Sequence, residues 1–317
     1  MPDLLDQPSR LDPAKFRDPA ITARGERRAT VALDALHTLW FNTGTLCNLA
    51  CANCYIESSP RNDRLAWLTL GDLRQYLDEI AADGLPTRLV GFTGGEPFMN
   101  PDFIDMLELV LTRDLSAIVL TNAMKPMHKQ QDRLLALRGY GARLTIRVSL
   151  DHYTRTVHEA ERGARSWHPT IDGLRWLSAQ GFCLHVAGRR FTEEHDAGLR
   201  AGYARLFAEH DIRIDAADPV ALTLFPEMDT RVDVPEITEA CWGILDKSPG
   251  DVMCAGSRMV VRRKGAARPA VVACTLLPYE PAFELGATLR EAARPVALNH
   301  PHCTKFCVLG GATCSAG

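Results

Sequence analysis

The 317 residues include 46% apolar side chains, 36 basic against 39 acidic groups, and a formal net charge of −3. That composition supports a sizeable core and excludes the strongly basic surface that nucleic acid or an anionic membrane requires. No stretch reaches the ~18 uninterrupted apolar residues of a spanning helix, and the polar opening MPDLLDQPSRLDPAKFRDPA is no signal peptide, so a cytoplasmic protein is expected.

Residues 1–30, polar and proline-containing, read as an N-terminal extension. Short apolar runs then alternate with amphipathic segments. HTLWFN (37–42), RLVGFT (88–93), SAIVLT (116–121), ARLTIRVSL (142–150), FCLHVAG (182–188) and PVALTLF (219–225) read as buried strands. TLGDLRQYLDEIAADG sets Leu73, Leu77 and Ile80 on one helix face and closes at Gly84, while PDFIDMLELVL opens a helix with Pro101. Six strand-then-helix units predict an α/β fold with a parallel sheet, either doubly wound or a partial barrel. In both architectures chemistry gathers at the C-terminal ends of the strands.

Ten cysteines are unusual for a reducing compartment, where clustered thiols more often bind metal or do redox chemistry. Three follow the first strand in GTLCNLACANCYIES: Cys47, Cys51 and Cys54, in the order C-x3-C-x2-C. Three thiolates can cap three irons of a [4Fe-4S] cluster and leave the fourth iron for a non-protein ligand. Half a zinc site completed by a distant residue, or buried structural cysteines, are the alternatives at this point. The second strand runs into TGGEP, Thr93 to Pro97, where two glycines let the backbone approach a ligand and Glu96 adds a carboxylate suited to an ammonium.

This pair of motifs resembles the radical S-adenosylmethionine (SAM) enzymes. The resemblance implies a partial (β/α)6 TIM-like barrel over residues 31–226, with Cys47, Cys51 and Cys54 holding a [4Fe-4S] cluster whose open iron is chelated by SAM. It also implies a SAM site formed by Tyr55, by Gly94, Gly95 and Glu96, by Asn122 of LTNA, where Ala123 replaces the usual glycine, and by Ser149 of VSLD. Arg189 and Arg190, after the fifth strand, are candidates for the SAM carboxylate, and Arg190 is taken into the site. Asp151, beyond the tip of the fourth strand, is the candidate to face substrate. A flavodoxin- or ferredoxin-type protein is the implied reductant.

Six further cysteines fall between residue 241 and the last residue. RMVVRR and PAVVAC read as a hairpin around KGAARP, followed by a short helix. Hairpin and cysteines resemble the auxiliary-cluster extensions of the same family, the SPASM domain and the shorter Twitch domain, and so imply a small α+β domain over residues 227–317. The chain stops three residues after Cys314, short of the full pattern. One auxiliary [4Fe-4S] cluster is therefore expected, held by Cys254, Cys274, Cys314 and either Cys303 or Cys307. The remaining thiol is a candidate hydrogen-atom donor, and Cys183 and Cys241 read as buried structural residues.

A small polar metabolite undergoing oxidation or epimerisation is the expected substrate. A peptide or protein is the alternative, set second because about 36 residues before the first strand leave no room for a leader-binding domain of ~80 residues. A non-enzymatic iron–sulfur electron carrier is a third possibility, one that leaves TGGEP unexplained. No nucleic-acid or membrane partner is expected.

Overall fold

The computed structural model of the chain describes residues 10–190, 194–227 and 229–311. Its elements run β1 (Thr30–Val31), β2 (Thr38–Asn42), α1 (Leu70–Ala82), β3 (Leu89–Thr93), α2 (Phe103–Thr112), β4 (Ser116–Thr121), α3 (Lys125–His128), α4 (Gln131–Ala136) and β5 (Leu144–Ser149). They continue with α5 (Arg155–Arg162), α6 (Trp167–Gln180), β6 (Cys183–Arg190), α7 (Asp196–Glu209), β7 (Leu222–Pro226) and α8 (Cys241–Ile244). The last are β8 (Ser257–Val261), β9 (Ala270–Val272), β10 (Glu284–Gly286) and β11 (Val296–Ala297), then a π-helical turn at Cys303–Val308. No helix among the described residues is long and apolar enough to cross a membrane.

Strands β2 to β7 lie side by side in chain order and all pair in parallel. Each is an apolar run because helices cover its outer face and the barrel interior its inner one; all five residues of β2 are buried. Helix α1 shows how sequence sets these covers. Thr69 and Asp72 form a reciprocal capping box that satisfies the first amides, Leu73, Tyr76, Leu77 and Ile80 bury one face, and Gly84 takes φ +59 just past the end.

The C-terminal hairpin joins this same sheet. β8 pairs in parallel with β2, on the edge away from β3, and β9 and β10 follow antiparallel, giving nine strands in the order β10-β9-β8-β2-β3-β4-β5-β6-β7. β8 is buried at all five positions, as an interior strand must be. Where a short helix was expected after the hairpin, the chain makes brief 3-10 turns at Pro281–Phe283 and Glu291–Ala293 around β10.

The segment before β2 is tied to the C-terminal part. β1 pairs with β11, Arg10 bridges Val232, and Arg28 bridges Thr238. Arg28 is fully buried; its guanidinium donates to Glu236 Oε1 at 2.5 Å and to the carbonyls of Asp18 and Ile21. Glu236 in turn accepts from the amides of Phe16 and Ala23, so one buried ion pair gathers three turns of the N-terminal segment.

Candidate functional site

A cleft of about 1000 Å³, open solvent included, lies at the C-terminal ends of the parallel strands. Cys47, Cys51 and Cys54 all line it, on the loop that leaves β2. Backbone amides support two of the sulfurs: Leu49 N–H donates to Cys47 Sγ at 3.4 Å and Ser58 N–H to Cys54 Sγ at 3.3 Å. Burial pushes the Cys47 thiol up to about 12, and burial also raises Cys51, with the Arg162 guanidinium opposing it. Thiolates in such surroundings require a compensating cation. Among the described residues no three Cys, His, Asp or Glu side chains converge closely enough to hold a single metal ion. Three thiols spread around one cleft fit the separate irons of a cluster better than one zinc.

TGGEP lies against this loop. Gly95 N–H donates to Gly44 O at 2.8 Å and Glu96 N–H to Leu46 O at 3.2 Å. A Cβ on Gly95 would stand 2.2 Å from Leu46 O, and one on Gly94, at φ +136, would stand 2.6 Å from Gly44 O. The two glycines therefore allow the turn to lie on the backbone leading to Cys47, while both still line the cleft.

Glu96 is 2% exposed and is not part of the cleft lining. Its carboxylate accepts from Thr121 Oγ1 at 2.8 Å, Asn122 N at 2.9 Å and Phe98 N at 3.2 Å, joining the end of β3 to the end of β4. Burial, the largest influence, raises it to about 7 against these bonds. The structure thus places the Glu96 side chain as an internal tie outside the cleft lining, while Gly94 and Gly95 of the same motif line it.

The other expected residues divide. Tyr55, Asn122, Ser149 and Asp151 line the cleft. Tyr55 Oη lies 3.4 Å from Thr93 Oγ1, and Asn122 Nδ2 donates to Asn48 Oδ1 at 2.9 Å, holding the start of the cysteine loop. Ala123, in the family's glycine position, keeps a left-handed φ of +56. Its carbonyl is accommodated by Gly173 of α6, where a Cβ would come within 2.0 Å of it. Arg190 does not line the cleft; its Nη1 meets Asp196 at 3.4 Å, and it is Arg189 that lines the cavity.

Asp151 is paired rather than free. Arg162 Nε lies 2.7 Å from its Oδ2 and Arg162 Nη2 donates to its Oδ1 at 3.1 Å. Burial works to raise this carboxyl, but Arg162 and Arg189 together hold it below the usual range. Arg162 itself lines the cleft and was missed from the sequence. A lone arginine in the last turn of a helix looks like ordinary dipole compensation; the available signal was Gly163, which ends α5 at φ +94.

A second chamber of about 290 Å³, open solvent included, is lined by Cys254, Cys274, Cys303 and Cys307 together with apolar side chains such as Met253, Phe283 and Leu298. Both Cys303 and Cys307 reach it, because the π-helical turn sets them on one side. The expected set had only one of the two, with Cys314, which lies outside the described residues. Burial pushes Cys254 up to about 11 and Cys303 well above its ordinary value. Beside them Arg258, 1% exposed, donates only to carbonyls, those of Cys254, Ser257, Ala292 and Arg294. A buried guanidinium with no carboxylate partner among the described residues calls for another negative charge nearby, which four thiolates around iron would supply. Cys183 opens β6, and Cys241 accepts from Thr238 N–H; neither lines the cleft or the chamber.

Comparison with known proteins agrees with this geometry. The family model described as "Radical SAM superfamily" matches residues 41–196, from β2 to the start of α7. The antilisterial bacteriocin subtilosin biosynthesis protein AlbA of Bacillus subtilis is 30% identical over 168 residues, 53% of this chain and 35% of that protein. The mycofactocin maturase MftC of Mycobacterium tuberculosis is 29% identical over 150 residues, 47% of this chain and 36% of that one. The chain thus spans little more than a third of the length of either relative. Among solved structures, SuiB of Streptococcus suis bound to the precursor peptide SuiA superposes with a TM-score of 0.58 at 13% identity, covering 81% of this chain and 63% of SuiB, a likeness of fold. With three cysteines at the mouth of a parallel partial barrel, a glycine turn laid against their loop and the family's own sequence pattern across both, the chain belongs to the radical SAM superfamily.

Proposed function

We propose that this protein is a radical SAM enzyme that modifies a peptide or protein substrate. The observation that carries the first part is the convergence of Cys47, Cys51 and Cys54 on one cleft with Gly94, Gly95, Asn122, Ser149 and Arg162. In this assignment the three cysteines hold a [4Fe-4S] cluster and the remaining residues hold SAM. When bound, cluster and SAM supply one-electron chemistry that ends in a 5′-deoxyadenosyl radical able to take a hydrogen atom from substrate.

The chain's own residues bind and orient. Asp151 fixes the Arg162 guanidinium, whose fork suits the SAM carboxylate, and Asp151 is thereby a positioning residue rather than one facing substrate. Tyr55 offers its ring to the adenine. Leu120, Phe225, Leu276 and Phe306 form an apolar wall that excludes water from the reacting centre. Cys254, Cys274, Cys303 and Cys307 hold a second [4Fe-4S] cluster, with Arg258 offsetting its charge. Residues 31–226 act as the radical SAM core and 227–317 as the auxiliary-cluster region, served by a flavodoxin- or ferredoxin-type reductant.

The substrate class rests on the relatives. A bacteriocin biosynthesis protein, a maturase and an enzyme bound to its precursor peptide favour a peptide over the small polar metabolite expected from the sequence. The test is anaerobic incubation of reconstituted, reduced protein with SAM. 5′-Deoxyadenosine is expected from the parent and none from a variant with Cys47, Cys51 and Cys54 changed to Ala; no cleavage by the parent would sink the enzyme assignment. Adding a pool of synthetic peptides and reading mass changes that require both SAM and reductant tests the substrate. Changes confined to added aminosugars would overturn the peptide assignment.

A further inference from the structure

The segment between Cys51 and Cys54 is gripped at the edge of the cleft, by Glu161 from outside it and by Arg189 from its lining. Ala52 N–H donates to the carbonyl of Glu161 at 2.8 Å. The Glu161 carboxylate accepts twice from Asn53 Nδ2, at 3.1 and 2.9 Å, and pairs with Arg189 Nη1 at 3.3 Å. Arg189 closes the ring by donating Nη2 to Asn53 O at 2.9 Å, while its own amide donates to Asp151 O at 3.0 Å. The Glu161 and Arg189 side chains are 15% and 12% exposed, whereas Ala52 and Asn53, which they hold, are exposed.

Glu161 is the chain neighbour of Arg162. Consecutive residues on a helix point about 100° apart, so the last turn of α5 sends one side chain to the cysteine loop and the next into the cleft toward Asp151. The loop and the guanidinium are thus set by one short piece of backbone.

We propose that Glu161 is a positioning residue which, with Arg189, holds the Cys51–Cys54 segment in its cluster-binding form and keeps it in register with Arg162. The proposal rests on the assignment of these cysteines to a cluster, but the grip itself belongs to the protein and is measurable without iron. Loss of hydrogen bonds to a charged acceptor lets the gripped segment open more often.

Hydrogen exchange of the iron-free chain, followed by mass spectrometry on peptides spanning residues 47–58, is the first measurement. Glu161→Ala is expected to speed exchange there about tenfold; Arg155→Gln, on the same helix but outside the ring, is expected to leave it unchanged. In the reconstituted protein, Glu161→Ala is expected to release iron from the first cluster to a ferrous chelator about tenfold faster, with the second cluster unaffected. Asn53→Ala, which removes the same contact from the other side, serves if Glu161→Ala does not fold. Unaltered exchange in the variant, or equal acceleration by Arg155→Gln, overturns the grip. A parent that takes up no iron overturns the cluster assignment and with it the role given to the grip, whatever its exchange.

Discussion

Gly95 leaves no room for a side chain, since a methyl there would meet the Leu46 carbonyl at 2.2 Å. Relief requires moving the backbone that leads into Cys47, at a cost of about 1–3 kcal/mol. Gly95→Ala is therefore expected to lower the iron held by the first cluster while sparing the second, as read by iron content and by electron paramagnetic resonance. Glu96 carries a different prediction. Its folded value of about 7 lies above its ordinary 4.5, so the folded chain keeps a proton that the unfolded chain has lost. Stability of the iron-free protein should then fall as pH rises from about 4.5 to about 7, and Glu96→Gln should flatten that slope in urea melts. The same variant should be less stable throughout, because the amide nitrogen that replaces one carboxylate oxygen cannot accept, losing either the bond from Asn122 or those from Thr121 and Phe98.

Among the elements, the π-helical turn brings Cys303 and Cys307 to one chamber. Cys303→Ala and Cys307→Ala are each expected to reduce iron from about eight to about four per chain, whereas Cys183→Ala and Cys241→Ala should leave about eight. The parallel strands were legible in the sequence because burial on both faces writes an unbroken apolar run, and the cysteine loop because its spacing is short and local. Other features were not legible, for physical reasons. A π-helical turn has no composition of its own, so nothing in the sequence distinguished Cys303 from Cys307. The direction of Glu96 depends on how the turn leaves β3, which residue type does not specify. Arg162 looked like any cation at a helix end, and the parallel pairing of β8 with β2 joins residues more than two hundred positions apart.

On the scale of the whole molecule, the nine-stranded sheet binds the C-terminal part to the barrel, and the Arg28–Glu236 pair binds the N-terminal segment to that C-terminal part. Removing one partner of a buried ion pair costs about 3–5 kcal/mol, so Arg28→Ala should be markedly destabilised in denaturant melts, and its N-terminal segment should become sensitive to protease. The sheet has a further consequence. β8 runs beside β2 in parallel register, Thr38 opposite Ser257. Cys254 precedes β8 and Cys47 follows β2, so the cysteine loop and the first cysteine of the C-terminal group are carried on neighbouring strands of one sheet. On the proposed assignment, the two centres are therefore joined through the ladder hydrogen bonds of one continuous sheet rather than across a hinge. Their separation is then set by the sheet itself, and an electron passing between them need not wait for one part of the chain to close on another.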